Sequence, residues 1–139
     1  MQILYTTKAT STGGRIGSSK TDDGRLEVVL AKPAALGGDG EGTNPEQLFA
    51  AGCSACFLGA MQFVAGNKGL DLSDGTRVSA DVSLGKRDDG EGFGIAVTLH
   101  VSDTGLDADA LQDLVDAAHI VCPYSHAIQG NVVVETTLS

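Results

Sequence analysis

Two cysteines, Cys56 and Cys122, have the neighbours and the spacing that thiol chemistry requires. Cys56 lies inside a long apolar stretch, whereas Cys122 is followed directly by Pro123. Because proline cannot continue a helix, it would leave Cys122 at a boundary that can move. Two such thiols can share a cycle in which one attacks, a disulfide forms, and a reductant resets both. The pair therefore predicts redox catalysis.

A catalytic Cys56 would need a positive charge nearby, because the thiolate is the nucleophile and burial raises the pKa of a thiol. Arg15 is the candidate cation, since the two glycines before it allow a tight turn. Glu46 is the candidate carboxylate to hold Arg15, and it lies about 15 Å from Cys56 along one predicted helix. A break of that helix near Gly52 would help the arginine bridge the distance. Glu46 fits equally well as an acidic residue that only stabilises the first turn of the helix.

The third cysteine, Cys53, leaves other interpretations open. It forms a Cys-x-x-Cys motif with Cys56, but inside a helix, whereas thioredoxin-like proteins place this motif at a helix start. A zinc-binding module is an alternative, with a candidate ligand set of Cys53, Cys56, His119, Cys122 and His126. Three cysteines and no export signal argue against a structural disulfide framework. Three reduced, buried and inert thiols are the remaining alternative.

Length and charge limit the class of protein. The chain has 139 residues, which suits a single domain over residues 1–139. Its net charge of −9 would repel nucleic-acid phosphates. The first residues show no signal-peptide pattern, and we expect no apolar stretch long enough for a membrane span. These features predict a cytoplasmic protein without nucleic-acid or membrane partners.

Hydrophobic periodicity and turn residues predict the elements that position the thiols. We expect strands at 2–12, 15–20 and 26–30, a helix at 45–68, a hairpin of strands at 76–86 and 93–102, a helix at 107–121 and a strand at 131–138. Strands grouped in runs indicate an α+β fold with antiparallel sheets in the order βββ-α-ββ-α-β. The helix at 45–68 is apolar almost all round, so we expect it to be buried on all sides, partly at a subunit interface.

Several stretches together closely resemble the organic hydroperoxide resistance (Ohr) branch of the Ohr/OsmC superfamily. They run in order along nearly the whole chain: Leu4-Tyr5-Thr6, Gly13-Gly14-Arg15, Thr43 to Gly52, Ala55-Cys56-Phe57, Gly92-Phe93-Gly94, Ala118-His119, Val121 to Ser125, and Gly130-Asn131. The stretch Val-Cys-Pro-Tyr-Ser points to the Ohr branch in particular. The joint match is specific, although each piece alone would be weak.

The resemblance implies a cysteine-based peroxidase that reduces organic hydroperoxides to alcohols in the response to oxidative stress. By position, Cys56 would be the peroxidatic thiol, and Cys122 the resolving thiol of a redox-active disulfide. Arg15 would activate Cys56, and Glu46 would orient Arg15. The reductant would be a dithiol, typically a lipoyl group on a protein, and no metal or organic cofactor would be used. A non-enzymatic thiol redox sensor is the competing class.

The resemblance also implies an Ohr/OsmC-like fold, with sheets around long central helices and an intertwined homodimer. An apolar pocket that includes Phe57, Phe93 and residues of the partner would favour alkyl or fatty-acid hydroperoxides. Two positions depart from the family pattern. Cys53 stands where the family usually has an aromatic residue, and His126 stands where it commonly has asparagine.

Overall fold

A computed structural model describes residues 1–139. The chain forms two compact units, Met1–Leu48 and Phe49–Ser139. That the whole chain acts as one domain stays a prediction.

The first unit is built on a three-stranded antiparallel sheet in the order β1-β2-β3. The strands are β1 Ala9–Thr12, β2 Ser18–Thr21 and β3 Glu27–Val29, followed by a 3₁₀ turn at Ala34–Leu36. The predicted meander is confirmed, but β1 begins at Ala9 rather than at residue 2. The reason is that its partner β2 ends at Thr21, which pairs with Ala9. The last hydrogen bond toward the N-terminus runs from the amide of Asp22 to Lys8 O at 3.1 Å.

The first unit has almost no apolar core of its own. Leu30 and Ala31 are its buried hydrophobic residues, and all four residues of β1 are exposed. Ile16 and Val29 also expose large apolar side chains. A segment of this size with so little buried apolar surface lacks the main stabilising term of folding.

Helix α1, Pro45–Lys68, begins in the first unit and continues into the second. Its start is fixed by a reciprocal capping box. The amide of Gln47 donates to Asn44 Oδ1 at 2.9 Å, and the amide of Asn44 donates to Gln47 Oε1 at 3.2 Å. The helix ends before Gly69, whose φ of 65° favours glycine. The predicted bounds of 45–68 are confirmed.

One face of α1 packs in the core and the opposite face is exposed in the single chain. The buried residues are Cys53, Phe57, Ala60, Met61, Val64 and Ala65. The exposed face carries Ala51, Ala55, Gly59 and Phe63. The expectation of burial on all sides therefore does not hold within one chain.

The expectation that no segment could span a membrane was also too simple. By length and composition alone, α1 is apolar enough to cross a bilayer. Core helices of globular proteins meet the same criterion. The buried face of α1 belongs to the hydrophobic cluster of the second unit, which accounts for its apolar composition.

In the second unit, β4 Arg77–Lys86 and β5 Phe93–Ser102 form the predicted antiparallel hairpin. Helix α2, Ala108–Val121, begins at Asp107, whose carboxylate accepts from the amide of Ala110 at 2.9 Å. A short helix α3, Pro123–Ile128, follows and was not predicted. The last strand is β6, Val134–Leu138.

The pairing of β6 differs from the expected antiparallel arrangement. It lies parallel to β5, from Val97 opposite Val134 to Val101 opposite Leu138. The connection through α2 and α3 is long enough to return the chain to the same end of the sheet, which a parallel pair requires. The strands of this sheet lie in the order β4-β5-β6. Apart from the 3₁₀ turn and α3, the elements follow the predicted order βββ-α-ββ-α-β along the chain.

Candidate active site

The second unit brings Cys56 of α1 and Cys122 into contact. Their sulfurs are 3.6 Å apart, and both residues are free thiols. Cys122 is 1% exposed, whereas Cys56 is partly accessible. A disulfide bond is about 2 Å long, so roughly 1.5 Å of movement would join the two sulfurs. A residue that solvent can reach and a buried partner beside it suit an attacking and a resolving thiol.

The surroundings of Cys56 act on its pKa in opposite directions. Burial raises the pKa of the thiol, because the apolar core disfavours the thiolate. The backbone N–H of Tyr124 donates to the sulfur and lowers the pKa in part. The net direction is upward, so these local contacts do not by themselves make Cys56 a thiolate at neutral pH. Activation requires a further positive charge.

Cys122 lies at the junction of two helices. It is the residue after α2 and the residue before α3, with an extended backbone at φ −69° and ψ 119°. Its amide donates to Ala118 O at 2.9 Å, and its carbonyl accepts from the amide of His126 at 3.0 Å. Pro123 occupies the first position of α3, where it suits a helix start and prevents α2 from continuing. The predicted helix boundary at Cys122 is confirmed.

Tyr124 fixes α3 against α1, one turn before Cys56. Its ring lies 6.1 Å from that of Phe49, measured between centroids. A Cβ atom on Gly52 would lie 3.0 Å from the Tyr124 hydroxyl oxygen. Glycine in a helix interior costs about 1 kcal/mol relative to alanine. The absence of a side chain at Gly52 leaves room for the tyrosine ring, which offsets this cost. Helix α1 is continuous through Gly52, so the break suggested from the sequence is absent.

His119, near the end of α2, contacts the elements around Cys122. Its ring packs against that of Phe57, the residue after Cys56, with 4.5 Å between centroids and a tilt of 45° between the ring planes. Its two nitrogens lie 3.0 Å from the hydroxyl of Ser125 on α3 and 3.2 Å from that of Thr136 on β6. Burial lowers the pKa of His119, against a smaller opposite effect of Asp116. The sequence suggested His119 only as a candidate zinc ligand, because its partners on three different elements leave no local signal.

The first unit brings Arg15 and Glu46 together. The guanidinium donates to both carboxylate oxygens, with Nη1 to Oε2 at 2.8 Å and Nη2 to Oε1 at 2.6 Å. Gly13 and Gly14 have φ of 70° and 59°, so the expected tight turn before Arg15 is present. The pairing raises the pKa of Arg15 and lowers that of Glu46. The two-pronged contact fixes the plane of the guanidinium and is stronger than a single hydrogen bond.

This ion pair predicts a pH-dependent stability. Because the folded-state pKa of Glu46 lies below its ordinary value of 4.5, its contribution is complete above that value. The contribution is lost as the pH falls through the lower folded-state pKa.

We expect wild type to be more stable than Glu46→Gln at neutral pH, with a difference that shrinks below about pH 4.5. Chemical denaturation across this range measures the difference, with Glu41→Gln as control, since Glu41 is exposed and forms no salt bridge. An equal difference at neutral and acid pH would contradict the assignment.

The other predicted residues lie in different environments. Phe57 is completely buried beneath the thiols, whereas Phe93 is 68% exposed at the start of β5. Their substrate-binding role stays a prediction. No group of three or more His, Cys, Asp or Glu side chains is arranged to hold a metal ion, which disfavours the zinc alternative.

Comparison with known proteins gives a consistent result. A family model described as OsmC-like protein matches residues 38–137. An organic hydroperoxide resistance protein of Xanthomonas axonopodis pv. citri is 50% identical over 99% of this chain and 96% of its own length. The organic hydroperoxide resistance protein OhrB of Bacillus subtilis is 45% identical over 97% of this chain and 98% of its own length.

Solved structures agree with these relatives. The crystal structure of an organic hydroperoxide resistance protein from Legionella pneumophila superposes with a TM-score of 0.94 at 47% identity, covering 99% of both chains. The structure of Bacillus subtilis OhrB superposes with a TM-score of 0.89, covering 99% of this chain and all of its own. The predicted Ohr/OsmC-like α+β fold and the predicted family are confirmed, whereas the homodimer stays a prediction. The chain belongs to the OsmC family, in its branch of organic hydroperoxide resistance proteins.

Proposed function

We propose that this protein is a thiol peroxidase that reduces organic hydroperoxides to alcohols and so acts in resistance to oxidative stress. The coarser role, resistance to organic hydroperoxides, follows from the relatives that carry this name. The observation that carries the finer proposal is the contact of Cys56 and Cys122 sulfurs at 3.6 Å. Two thiols from distant parts of the chain, one accessible and one buried, suit a catalytic disulfide cycle.

The cycle has three balanced steps. The Cys56 thiolate attacks the terminal oxygen of the hydroperoxide, the O–O bond breaks, and the alkoxide takes up a proton to leave as an alcohol. The resulting sulfenic acid condenses with the Cys122 thiol, which forms the disulfide and releases water. A dithiol then attacks the disulfide, closes to its own cyclic disulfide, and returns both cysteines to thiols. A lipoyl group on a protein is the dithiol we propose, and we expect a reducing compartment such as the cytoplasm.

Steady-state turnover tests this proposal against a redox sensor. We expect cumene hydroperoxide to be consumed over many cycles when dihydrolipoamide is supplied, with one dithiol oxidised per alcohol formed. A sensor would consume one equivalent per chain and stop. Hydrogen peroxide serves as the control substrate, and slower turnover with it would support a site for alkyl hydroperoxides.

Arg15, held by Glu46, is the proposed source of the positive charge that activates Cys56. The support is the two-pronged ion pair, together with the raised pKa that burial gives Cys56. A cation within about 4–6 Å lowers the pKa of an anion-forming group by about 1–3 units. We therefore expect Arg15→Ala to lower kcat/KM near neutral pH by roughly 10- to 1000-fold.

The pH profile separates activation from a structural role of Arg15. In Arg15→Ala, the rise of kcat/KM with pH should move to higher pH, because the Cys56 thiolate forms later. Arg15→Lys keeps the charge and loses the paired geometry, so its rate should fall between those of wild type and Arg15→Ala. Full activity of Arg15→Ala, with an unchanged profile, would show that the charge comes from elsewhere.

We further propose that the protein forms a homodimer. The first unit has little core, and α1 exposes Ala51, Ala55, Gly59 and Phe63 along one face. Small residues allow close approach of another chain, and Phe63 is 62% exposed although it is large and apolar. Such apolar surface is typical of an interface.

The mass in solution tests the dimer. Light scattering after size exclusion should give about twice the 14.1 kDa of one chain. Phe63→Glu should shift the population toward monomers, because a buried unpaired charge opposes association. Gln112→Glu, at an exposed position on α2, is the control and should leave the mass unchanged. A wild-type mass of one chain would contradict the proposal.

A further inference from the structure

The proposed cycle leaves one thiol unused, Cys53. It is 4% exposed and belongs to the same buried cluster as Cys122 and Phe57. It lies on α1, less than one turn before Cys56. Burial raises the pKa of Cys53, and the neighbouring thiols of Cys122 and Cys56 raise it further. Cys56 packs against this same cluster.

Helix geometry places the Cys53 side chain next to that of Cys56. Residues three apart on a helix are neighbours, with about 5–6 Å between their Cβ atoms. Side chains lean toward the N-terminal end of the helix, so the Cys56 side chain leans over the turn that carries Cys53. The Cys122 sulfur contacts that of Cys56 at 3.6 Å from the α2–α3 junction. Cys122 contacts Cys56 directly and belongs to the same buried cluster as Cys53, so it is the candidate partner for both cysteines of α1.

We propose that Cys53 is a third redox thiol, which exchanges with the Cys56–Cys122 disulfide to form a Cys53–Cys122 disulfide and return Cys56 as a thiol. The proposal rests on the proposed function for the source of the first disulfide. The Cys53 thiolate attacks the Cys122 sulfur, the bond between Cys122 and Cys56 breaks, and Cys56 takes up the proton that Cys53 gave. One disulfide is exchanged for another, so no oxidant or reductant is consumed.

The distances suit this exchange. Attack on a disulfide needs the three sulfurs nearly in line, with the attacked sulfur in the middle. A bond of about 2 Å and an approach of about 3–3.5 Å add up to roughly 5–5.5 Å between the outer sulfurs. The Cβ atoms of residues three apart on a helix, such as Cys53 and Cys56, are also about 5–6 Å apart. A direct disulfide between Cys53 and Cys56 would leave Cys122 out and would have to form along one helix turn.

The exchange would move the oxidised pair into the core. A Cys53–Cys122 disulfide joins residues that are 4% and 1% exposed, so an external dithiol reaches it poorly. Cys56 would again be free to react with a peroxide. Reduction of the oxidised protein by dihydrolipoamide should therefore occur in two phases, a fast one for Cys56–Cys122 and a slow one for Cys53–Cys122.

Mapping the disulfide over time tests the exchange. The protein is oxidised with one equivalent of cumene hydroperoxide, or separately with diamide, which forms disulfides without peroxide chemistry. Samples are quenched in acid and denatured, and free thiols receive a first label. After reduction, the former disulfide cysteines receive a second label, and fragmentation mass spectrometry assigns each label to Cys53, Cys56 or Cys122.

We expect the first label to be on Cys53 at early times and to appear increasingly on Cys56 later. The rate should rise up to about tenfold from about pH 7 to about pH 8, because the attacking group is a thiolate. In Cys56→Ser, diamide should join Cys53 to Cys122 within one chain. The inference is overturned if Cys53 carries the first label in every wild-type molecule at all times, or if Cys56→Ser forms no such disulfide.

The two oxidants separate this inference from the proposed function. If peroxide forms the Cys56–Cys122 disulfide and the labels never move, the peroxidase proposal stands and the exchange is refuted. If peroxide forms no disulfide but the one formed by diamide moves to Cys53, the exchange is supported and the peroxidase proposal fails. Cys53→Ala should abolish both the label movement and the slow reduction phase. The disulfide map of the wild type decides the result, so loss of the slow phase in Cys53→Ala without label movement in the wild type would refute the exchange.

Discussion

Cys56→Ser is expected to abolish the consumption of cumene hydroperoxide with dihydrolipoamide as reductant. A serine hydroxyl is a weak nucleophile without a dedicated base, and it cannot form a sulfenic acid or a disulfide. The rate should fall by roughly 10⁴-fold or more, to the background measured without protein. The measurement is the loss of peroxide, coupled to the appearance of oxidised lipoamide.

The change should leave the fold intact, because Cys56 is partly accessible and serine is nearly isosteric with cysteine. The unfolding midpoint and the mass in solution verify this. Gln112→Ala, on the exposed side of α2, should keep the wild-type rate. If Cys56→Ser retained a tenth of the activity or more, another thiol would be the nucleophile. The double variant Cys56→Ser with Cys122→Ser would then identify it.

Cys122→Ser has a different expected result, a single oxidation followed by a stalled enzyme. The first peroxide still reacts with Cys56, since the attacking thiol is unchanged. The sulfenic acid then lacks the partner whose sulfur lies 3.6 Å away in the wild type. Excess peroxide should convert it to the sulfinic acid, which does not return to the cycle. Intact mass spectrometry should show a gain of one oxygen and then of two.

A sulfenic-acid trap such as dimedone, added after one equivalent of peroxide, should label Cys122→Ser at Cys56 and leave wild type unlabelled. Cys122 is buried, so a serine hydroxyl there could itself destabilise the fold by about 1–3 kcal/mol if it remains unpaired. Cys122→Ala introduces no polar group and serves as the second variant. Normal cycling of both variants at the wild-type rate with the dithiol would refute the role of Cys122 as resolving thiol.

Local signals were enough to predict both long helices. The sequence predicts the start of α1 from Thr43 or Asn44 as cap, Pro45 in the first turn and Glu46 at the positive end of the helix dipole. The structure adds Gln47 as the reciprocal partner of Asn44. Asp107 marks the start of α2 in the same way. Such signals act between residues a few positions apart, so they can be read along the chain. The alternation of apolar and polar residues along β4 and β5 is a local signal of the same kind, and it predicted the hairpin.

Long-range contacts decided the parts that could not be predicted. The parallel pairing of β6 with β5 depends on where α2 and α3 return the chain, and no residue of β6 encodes its neighbour. The late start of β1 depends on the length of β2. Helix α3 has only six residues, too few for a periodic apolar pattern, so nothing in the sequence indicated it. Its position depends on the packing of Tyr124 against Gly52 of α1.

The same distinction between local signals and long-range contacts applies to the candidate site. By itself, the sequence determined which residues have suitable chemistry: a thiol in an apolar stretch, a thiol before a proline, an arginine after two glycines, and an acidic residue in a first helix turn. The resemblance to a family assigned their roles. Only the tertiary structure decided that Arg15 and Glu46 form a two-pronged pair, and that Cys122 contacts Cys56 while Cys53 is buried in the same cluster as Cys122. The physical reason is that spacing along a chain sets neighbours only within a helix or hairpin, whereas contacts between elements depend on how their apolar faces pack.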